Sequence, residues 1–233
     1  MAVRVSVVIP AYNEADVIAD TIRGAQSIPE VDEIVVVDDG STDNTASVAR
    51  AAGAGPVIML NRNNGKGGAL NKALSQARGE ILLLLDADLG VSSREAEKLL
   101  MPVLDGEADM TIAVFCDSEP DESKLAARSK GFGLVMKTAR FGIKALTGKQ
   151  VKSPLAGPRA LKREVVERAG GFESKFGVEV GLTVDALRMG YRIMEVPVHM
   201  VHRSSGRDFK GFVHRGKQMS DVLRILCRKA LRL

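Results

Sequence analysis

Tryptophan is absent, and aromatics of all kinds make up only 4% of the chain. Apolar residues still account for 45% of its 233 positions, so a full core can form, but it must be built from Val, Ile, Leu, Ala and Met. Cysteine occurs twice, at Cys116 and Cys227. The two lie far apart and outside any C-x-x-C pair, so they suggest neither a zinc cluster nor a disulfide framework. No window approaches the roughly 18 apolar residues of a membrane span. The first apolar run, Val5 to Ile9, is too short for a signal peptide and no A-x-A site follows it, so a cytoplasmic location is expected. No G-x-G-x-x-G follows that run, which argues against a nicotinamide dehydrogenase, and no Walker loop is present. Composition gives no sign of disorder or of an internal repeat.

The net charge is +4, but the excess is uneven. From Arg203 onward stand Arg203, Arg207, Lys210, Arg215, Lys217, Arg224, Arg228, Lys229 and Arg232, against only Asp208 and Asp221. Such a tail attracts phosphate on a membrane, a nucleic acid or a small substrate; as an alternative, it is one solvated helix face.

Strand and helix signals alternate through the first half. Apolar runs at Val5–Ile9, Glu33–Val37, Pro56–Leu60 and Ile81–Leu85 read as strands. Helical spacing covers Glu14–Ser27, Ser41–Ala52 and Gly67–Arg78. Fully apolar strands separated by helices predict a mostly parallel sheet covered on both faces, and ligands of such sheets sit at the carboxyl ends of the strands. The second half is less regular. A helix is predicted over Ser93–Leu104, a strand over Met110–Phe115 and an amphipathic helical stretch over Glu122–Leu146. An extended glycine-bearing segment follows at Ser153–Ala160, then a helix at Val178–Met189 and a strand at Arg192–His202. A basic amphipathic helix closes the chain at Phe209–Leu231. No linker long enough to separate two domains interrupts this order.

Polar clusters fall where strands end. Asp86-Ala87-Asp88 follows the fourth strand, and two carboxylates at this spacing can share one hard cation, Mg²⁺ or Mn²⁺; read blandly, it is a turn containing two acids. Asp38-Asp39-Gly40-Ser41-Thr42-Asp43 follows the second strand. Its carboxylates can accept hydrogen bonds from a base N–H or from ribose hydroxyls, while Ser41 and Asp43 can cap a helix. Asn13-Glu14 follows the first strand. Gly65-Lys66-Gly67-Gly68 precedes a helix, where backbone N–H groups and the lysine can face phosphate.

Each cluster alone is a common turn; four in this order are not. Pro10-Ala11-Tyr12-Asn13-Glu14, Val37 to Asp43, Gly65-Lys66-Gly67 and Asp86-Ala87-Asp88 together resemble the GT-A glycosyltransferases of family 2, above all the polyprenyl (dolichyl) phosphate sugar transferases. The resemblance implies an α/β GT-A fold, with a mostly parallel Rossmann-like sheet flanked by helices and an appended amphipathic helix. It implies that Pro10, Ala11, Asn13, Glu14, Asp38, Asp39, Gly40, Lys66, Asp86 and Ala87 bind the nucleotide-sugar, with Asp86 and Asp88 on the donor ribose and the metal. In the second half Pro154-Leu155-Ala156-Gly157, Phe176 to Leu182 and His202-Arg203 look like glucosyl-3-phosphoglycerate synthase. By that likeness Glu179 sits in the sugar pocket and His202 completes the metal site. Met200 and Ser204 stand where that synthase carries Arg and Asn, and the acidic stretch Cys116–Glu122 has no counterpart of its phosphoglycerate loop.

The expected organisation is a transferase domain over 1–205, with a nucleotide half at 1–115 and an acceptor half at 116–205, followed by the helix 206–233. The expected reaction moves glucose or a similar sugar from a UDP-sugar to a phosphate-bearing acceptor. Asp88, Glu179 and Lys66 are the expected catalytic groups, and Gly157, Arg159, Arg203, Ser204 and Arg207 line the acceptor side. Polyprenyl phosphate is the favoured acceptor, which would bring the protein to the inner face of an anionic membrane surface; a soluble phosphorylated acid such as phosphoglycerate is the alternative. No nucleic-acid partner is expected, and a homodimer stays open. The rival readings are a sugar-nucleotide pyrophosphorylase, which should open with a G-x-G-T-R-L-type loop that is missing here, and a non-catalytic basic adaptor.

Overall fold

The computed structural model describes residues 3–116, 132–173, 177–202 and 209–231, with 132 and 209–218 as backbone only. One seven-stranded sheet organises them. Its strands are β1 (Val5–Ala11), β2 (Glu33–Asp38), β3 (Val57–Met59), β4 (Ile81–Leu84), β5 (Met110–Phe115), β6 (Arg159–Lys162) and β7 (Ile193–Val198), in the order β3-β2-β1-β4-β6-β5-β7. The pairs β1–β2, β1–β4, β2–β3 and β5–β7 are parallel. β6 alone runs antiparallel, against both β4 and β5.

The helices are α1 (Ile18–Gln26), α2 (Thr45–Ala51), α3 (Gly65–Leu74), α4 (Glu97–Leu104), α5 (Phe132–Thr147), α6 (Arg163–Ala169), α7 (Val178–Arg188) and α8 (Phe209–Ala230), with a 3-10 helix at Gly90–Ala96 before α4. β4 is buried along its whole length, as is β1 except for Pro10. This is how strands covered on both faces pack, and it accounts for their unbroken apolar runs. Among the described residues no helix is long and apolar enough to cross a membrane.

Several boundaries move from the sequence-based expectation, each for a local reason. α2 begins at Thr45 rather than Ser41. Asp43 accepts from the Thr45 N–H, while the Ser41 hydroxyl accepts from the Asn13 N–H instead of capping the helix. α3 begins at Gly65, so Lys66 lies in its first turn rather than in a loop ahead of it. The Asp39 carboxylate satisfies the exposed donors there, accepting from the Asn64 and Gly65 N–H groups at 2.8 Å each. The segment read as extended through Ala160 becomes a strand only at Arg159–Lys162, and α6 follows it at once.

α8 packs against α5 and α7. Val222, Ile225 and Leu226 are buried, and Leu226 fills the space beside Gly142. Of the apolar line read along this helix (Phe209, Phe212, Val213, Met219, Val222, Leu223, Leu226 and Ala230), Val222 and Leu226 pack inward and Met219 is half-buried, whereas Leu223 and Ala230 are exposed and Ile225, outside that line, is buried. The line's members Phe209, Phe212 and Val213 lie outside the described side chains, as does the acidic stretch after Cys116.

Candidate active site

β1, β2 and β4 end side by side, and their following turns interlock. Asn13 is held at a positive φ of 57°, a conformation that asparagine tolerates better than most residues. Its Oδ1 accepts from the Thr42 N–H at 2.8 Å. The Thr45 hydroxyl accepts from the Glu14 N–H at 2.9 Å. Asp39 N–H donates to the Ala11 carbonyl, and Asp38 accepts from the Ser41 N–H, both at 2.8 Å. Gly40 turns at φ 76°, and a Cβ there would stand 2.7 Å from the Arg62 backbone. Glycine is therefore needed for both conformation and space. These bonds join Ala11, Asn13, Glu14, Asp38 and Asp39 into one rim, with Pro10 and Gly40 adjoining them in the chain.

The centre of the site is a half-buried charge cluster. Lys66 Nζ lies 2.6 Å from Asp86 Oδ1 and 2.8 Å from Glu179 Oε1. Burial opposes the lysine's charge, but the two carboxylates outweigh it and push its pKa up. Lys66 is therefore a fixed cation rather than a base. Burial likewise works against the Asp86 carboxylate, and the charges of Lys66 and His202 overcome it and hold its pKa low. Two residues on, Asp88 Oδ1 lies 2.9 Å from His202 Nδ1, and His202 Nε2 stands 4.0 Å from Asp86 Oδ2. Burial lowers the affinity of His202 for its proton; the Asp88 hydrogen bond and the two carboxylate charges reverse that and raise its pKa. The Phe115 ring lies 4.9 Å from the imidazole. Ala87 supports the turn through its carbonyl, which accepts from the Thr21 hydroxyl at 2.8 Å.

The antiparallel strand completes the floor. Leu84 pairs with Arg159, so the same register carried two residues further sets Gly157 opposite Asp86. A Cβ on Gly157 would lie 2.2 Å from Asp86 Oδ2 and 2.6 Å from Lys66 Nζ. Arg159, expected on the acceptor side, is instead 1% exposed. It donates to the carbonyls of Ala156 (2.6 Å) and Glu179 (3.2 Å) and to the Thr183 hydroxyl (3.3 Å). Its guanidinium thus lies beneath the cluster and orients the first turn of α7, presenting no face to a ligand. Arg203, Ser204 and Arg207 lie outside the described residues.

The donor set Asp86, Asp88 and His202 is chemically suited to a divalent cation. Among the described residues, however, no three such side chains already converge around one metal position. In this arrangement His202 is hydrogen-bonded to Asp88.

A sheet ordered 3-2-1-4-6-5-7 with acidic turns at the ends of β2 and β4 defines a GT-A nucleotide-sugar transferase. Residues 6–170 match the family model for glycosyl transferase family 2, and the chain belongs to that family. It is 32% identical over 208 residues to glycosyltransferase AglD of Haloferax volcanii, covering 84% of this chain but only 33% of that protein. It is 29% identical to the undecaprenyl-phosphate 4-deoxy-4-formamido-L-arabinose transferase of Shewanella sediminis, covering 98% of this chain and 68% of the relative. The chain thus spans a third of one of these relatives and about two thirds of the other. Among solved structures, glucosyl-3-phosphoglycerate synthase of Mycobacterium tuberculosis in complex with Mn²⁺, UDP and phosphoglyceric acid superposes with a TM-score of 0.78 at 28% identity. That match covers 97% of this chain and 78% of the synthase.

Proposed function

We propose that the chain transfers a sugar, glucose or a close relative, from a UDP-sugar to a phosphate-bearing acceptor. The observation that carries this reading is the Lys66–Asp86–Glu179 cluster beside Asp88 and His202, set at the strand ends where this fold takes its ligands. The rim from Pro10 to Gly40 receives the nucleoside. Lys66, locked in its charged form, presents a fixed positive charge to the diphosphate, which is worth most where water is excluded. Glu179, 12% exposed and tied to Lys66, faces the sugar. Asp86, Asp88 and His202 would hold Mg²⁺ or Mn²⁺, which when bound neutralises charge on the departing UDP. An acceptor phosphate is already ionised at neutral pH and needs no general base.

Polyprenyl phosphate is the favoured acceptor, supported by the undecaprenyl-phosphate transferase relative and by the excess of basic residues in the sequence from Arg203 onward. That acceptor would bring the protein to an anionic membrane surface. The second reading, a soluble phosphorylated acid, is favoured by the phosphoglyceric acid complex of the structural neighbour. Radiolabelled sugar transfer from UDP-glucose with Mn²⁺ to undecaprenyl phosphate or to phosphoglycerate separates the two. The expectation is label on the lipid and loss of activity in Asp88→Ala and His202→Ala. Full activity of both variants in EDTA would refute the metal assignment, and label on neither acceptor would refute the acceptor class.

A further inference from the structure

The mechanism above leaves one buried ionic cluster unused. Lys229, near the end of α8, is 3% exposed, and a lysine is held in such a place only by charged partners. Its Nζ lies 3.0 Å from Glu173 Oε1 and 2.5 Å from Asp185 Oδ2. Arg228 bonds the other Glu173 oxygen, and Arg188 donates to the Lys229 carbonyl at 2.8 Å.

Glu173 is wedged between the two helices that meet at the site. Asn71 of α3 bonds both the N–H and the carbonyl of Phe172 at 2.8 Å. A Cβ on Gly67 would fall 1.8 Å from the Glu173 carbonyl oxygen, and one on Gly181 would fall 2.7 Å from Glu173 Cγ. Ile225 of α8 fills the space beside Gly177, where a Cβ would stand 1.6 Å from it. Gly67 follows Lys66, and Gly177 and Gly181 bracket Glu179. Packing without slack at these glycines makes the 2.8 Å contact between Lys66 and Glu179 depend on where segment 172–173 and α7 are held.

We propose that Lys229 is a positioning residue: through Glu173 and Asp185 it fixes the spacing of the first turns of α3 and α7, and so aligns Lys66 with Glu179. α8 is then part of the catalytic unit. The inference rests on the transferase reading for its effect on turnover, but not for its effect on structure. It is tested in the whole chain with Lys229→Met and Lys229→Arg by three measurements: UDP-glucose hydrolysis with Mn²⁺, UDP affinity by calorimetry, and hydrogen exchange. Lys229→Met should lower kcat about tenfold, the scale of a small misplacement of reacting groups. UDP affinity should fall clearly less than kcat, because the rim from Pro10 to Gly40 is untouched and only the Lys66 contact to the diphosphate shifts, and exchange should rise in residues 65–70 and 178–183 while β1 and β2 keep their protection. Lys229→Arg should restore most of the loss. Unchanged kcat and exchange in Lys229→Met would overturn the proposal. So would equal losses of kcat and UDP affinity, or exchange raised evenly across the sheet, since both mark a merely structural role. If Lys229→Met does not fold, Asp185→Asn removes one of the two negative charges on Lys229 and leaves Glu173 paired; the same local pattern at smaller amplitude is expected, and its absence overturns the proposal. A wild type that neither hydrolyses UDP-sugars nor passes sugar from them to either phosphorylated acceptor would refute the transferase reading, and the exchange pattern would still decide the role of Lys229.

Discussion

β4 and β6 are neighbours in the sheet, and both serve the site, but they reach it in opposite senses. β4 runs toward it and delivers Asp86 and Asp88 in the turn after its last residue. β6 runs away from it, so its contribution, Gly157, comes before the strand begins, brought opposite Asp86 by the antiparallel register. The rest of the second half is as varied in origin: Glu179 comes from a helix's first turn and His202 from beyond the edge strand β7. The nucleotide half thus repeats one device, an apolar strand followed by an acidic turn. The other half closes that array with single residues from unlike elements. The first half should therefore govern how tightly the nucleotide binds, and the second whether the bound donor reacts.

The sharpest way to break this contrast is Gly157→Ala. The added methyl would meet the Asp86 carboxylate at 2.2 Å and Lys66 Nζ at 2.6 Å, so both charged groups must shift to admit it. Turnover of UDP-glucose should fall about a hundredfold, as expected when reacting groups are displaced by an ångström, with the circular dichroism melt little changed. Near wild-type turnover would mean that the antiparallel insert merely fills space.

How much of this was legible beforehand follows the same division. β1, β2 and β4 announced themselves because strands buried on both faces must be apolar throughout, and the acids that interrupt them mark their ends. β6 was missed as a strand: four residues, Arg-Ala-Leu-Lys, carry no alternation, and its arginine is buried only because Ala156, Glu179 and Thr183 accept from it. Arg159 was expected on the acceptor side for want of any signal in the sequence that its partners are internal. α6 also went unread, although Gly170-Gly171 marks its end, with Gly170 in the left-handed cap position at φ 81°; Gly79, by contrast, was no helix stop, since α3 already ends at Leu74. Lys229 lay within a run of basic residues, where one buried cation cannot be told from its exposed neighbours without knowing where Glu173 falls.

A paired substitution sharpens the contrast at smaller amplitude. Glu179→Gln keeps the side chain's shape and removes one of the two charges that hold Lys66. It should lower turnover about tenfold and leave UDP affinity nearly unchanged. Asp39→Ala should do the reverse. It removes the acceptor of two backbone N–H groups at the start of α3 and a predicted partner of the nucleoside, weakening UDP binding by about 1–3 kcal/mol. Calorimetry with UDP beside steady-state turnover reads both. If the two variants lose affinity and turnover in the same proportion, the division of labour between the halves fails.

The smallest effect lies at the opposite end of the sheet. Asp109, just before β5, is 8% exposed and ties two strands together. Its carboxylate accepts from the Arg192 backbone N–H at 2.9 Å and from Lys162 Nζ at 2.8 Å, with the Arg192 guanidinium at 3.2 Å. The Arg192 hydrogen bonds prevail over burial and, with Lys162, hold the Asp109 pKa far below the ordinary carboxylate value. A carboxylate whose folded-state pKa is depressed contributes stability above its unfolded pKa of about 3.9, and loses it as pH falls toward the folded value. Asp109→Asn should therefore cost about 1–3 kcal/mol at pH 7, the scale of hydrogen bonds to a charged group. The stability gap from the wild type should stay constant from about pH 8 to pH 5 and close progressively below about pH 4. Urea melts across that range measure it. Turnover at pH 7 should be unaffected, because β5, β6 and β7 reach the site from their other ends. A gap that widened in acid would reverse the sign assigned to the Asp109 contacts, and a fall in turnover would show that this edge of the sheet is coupled to the chemistry after all.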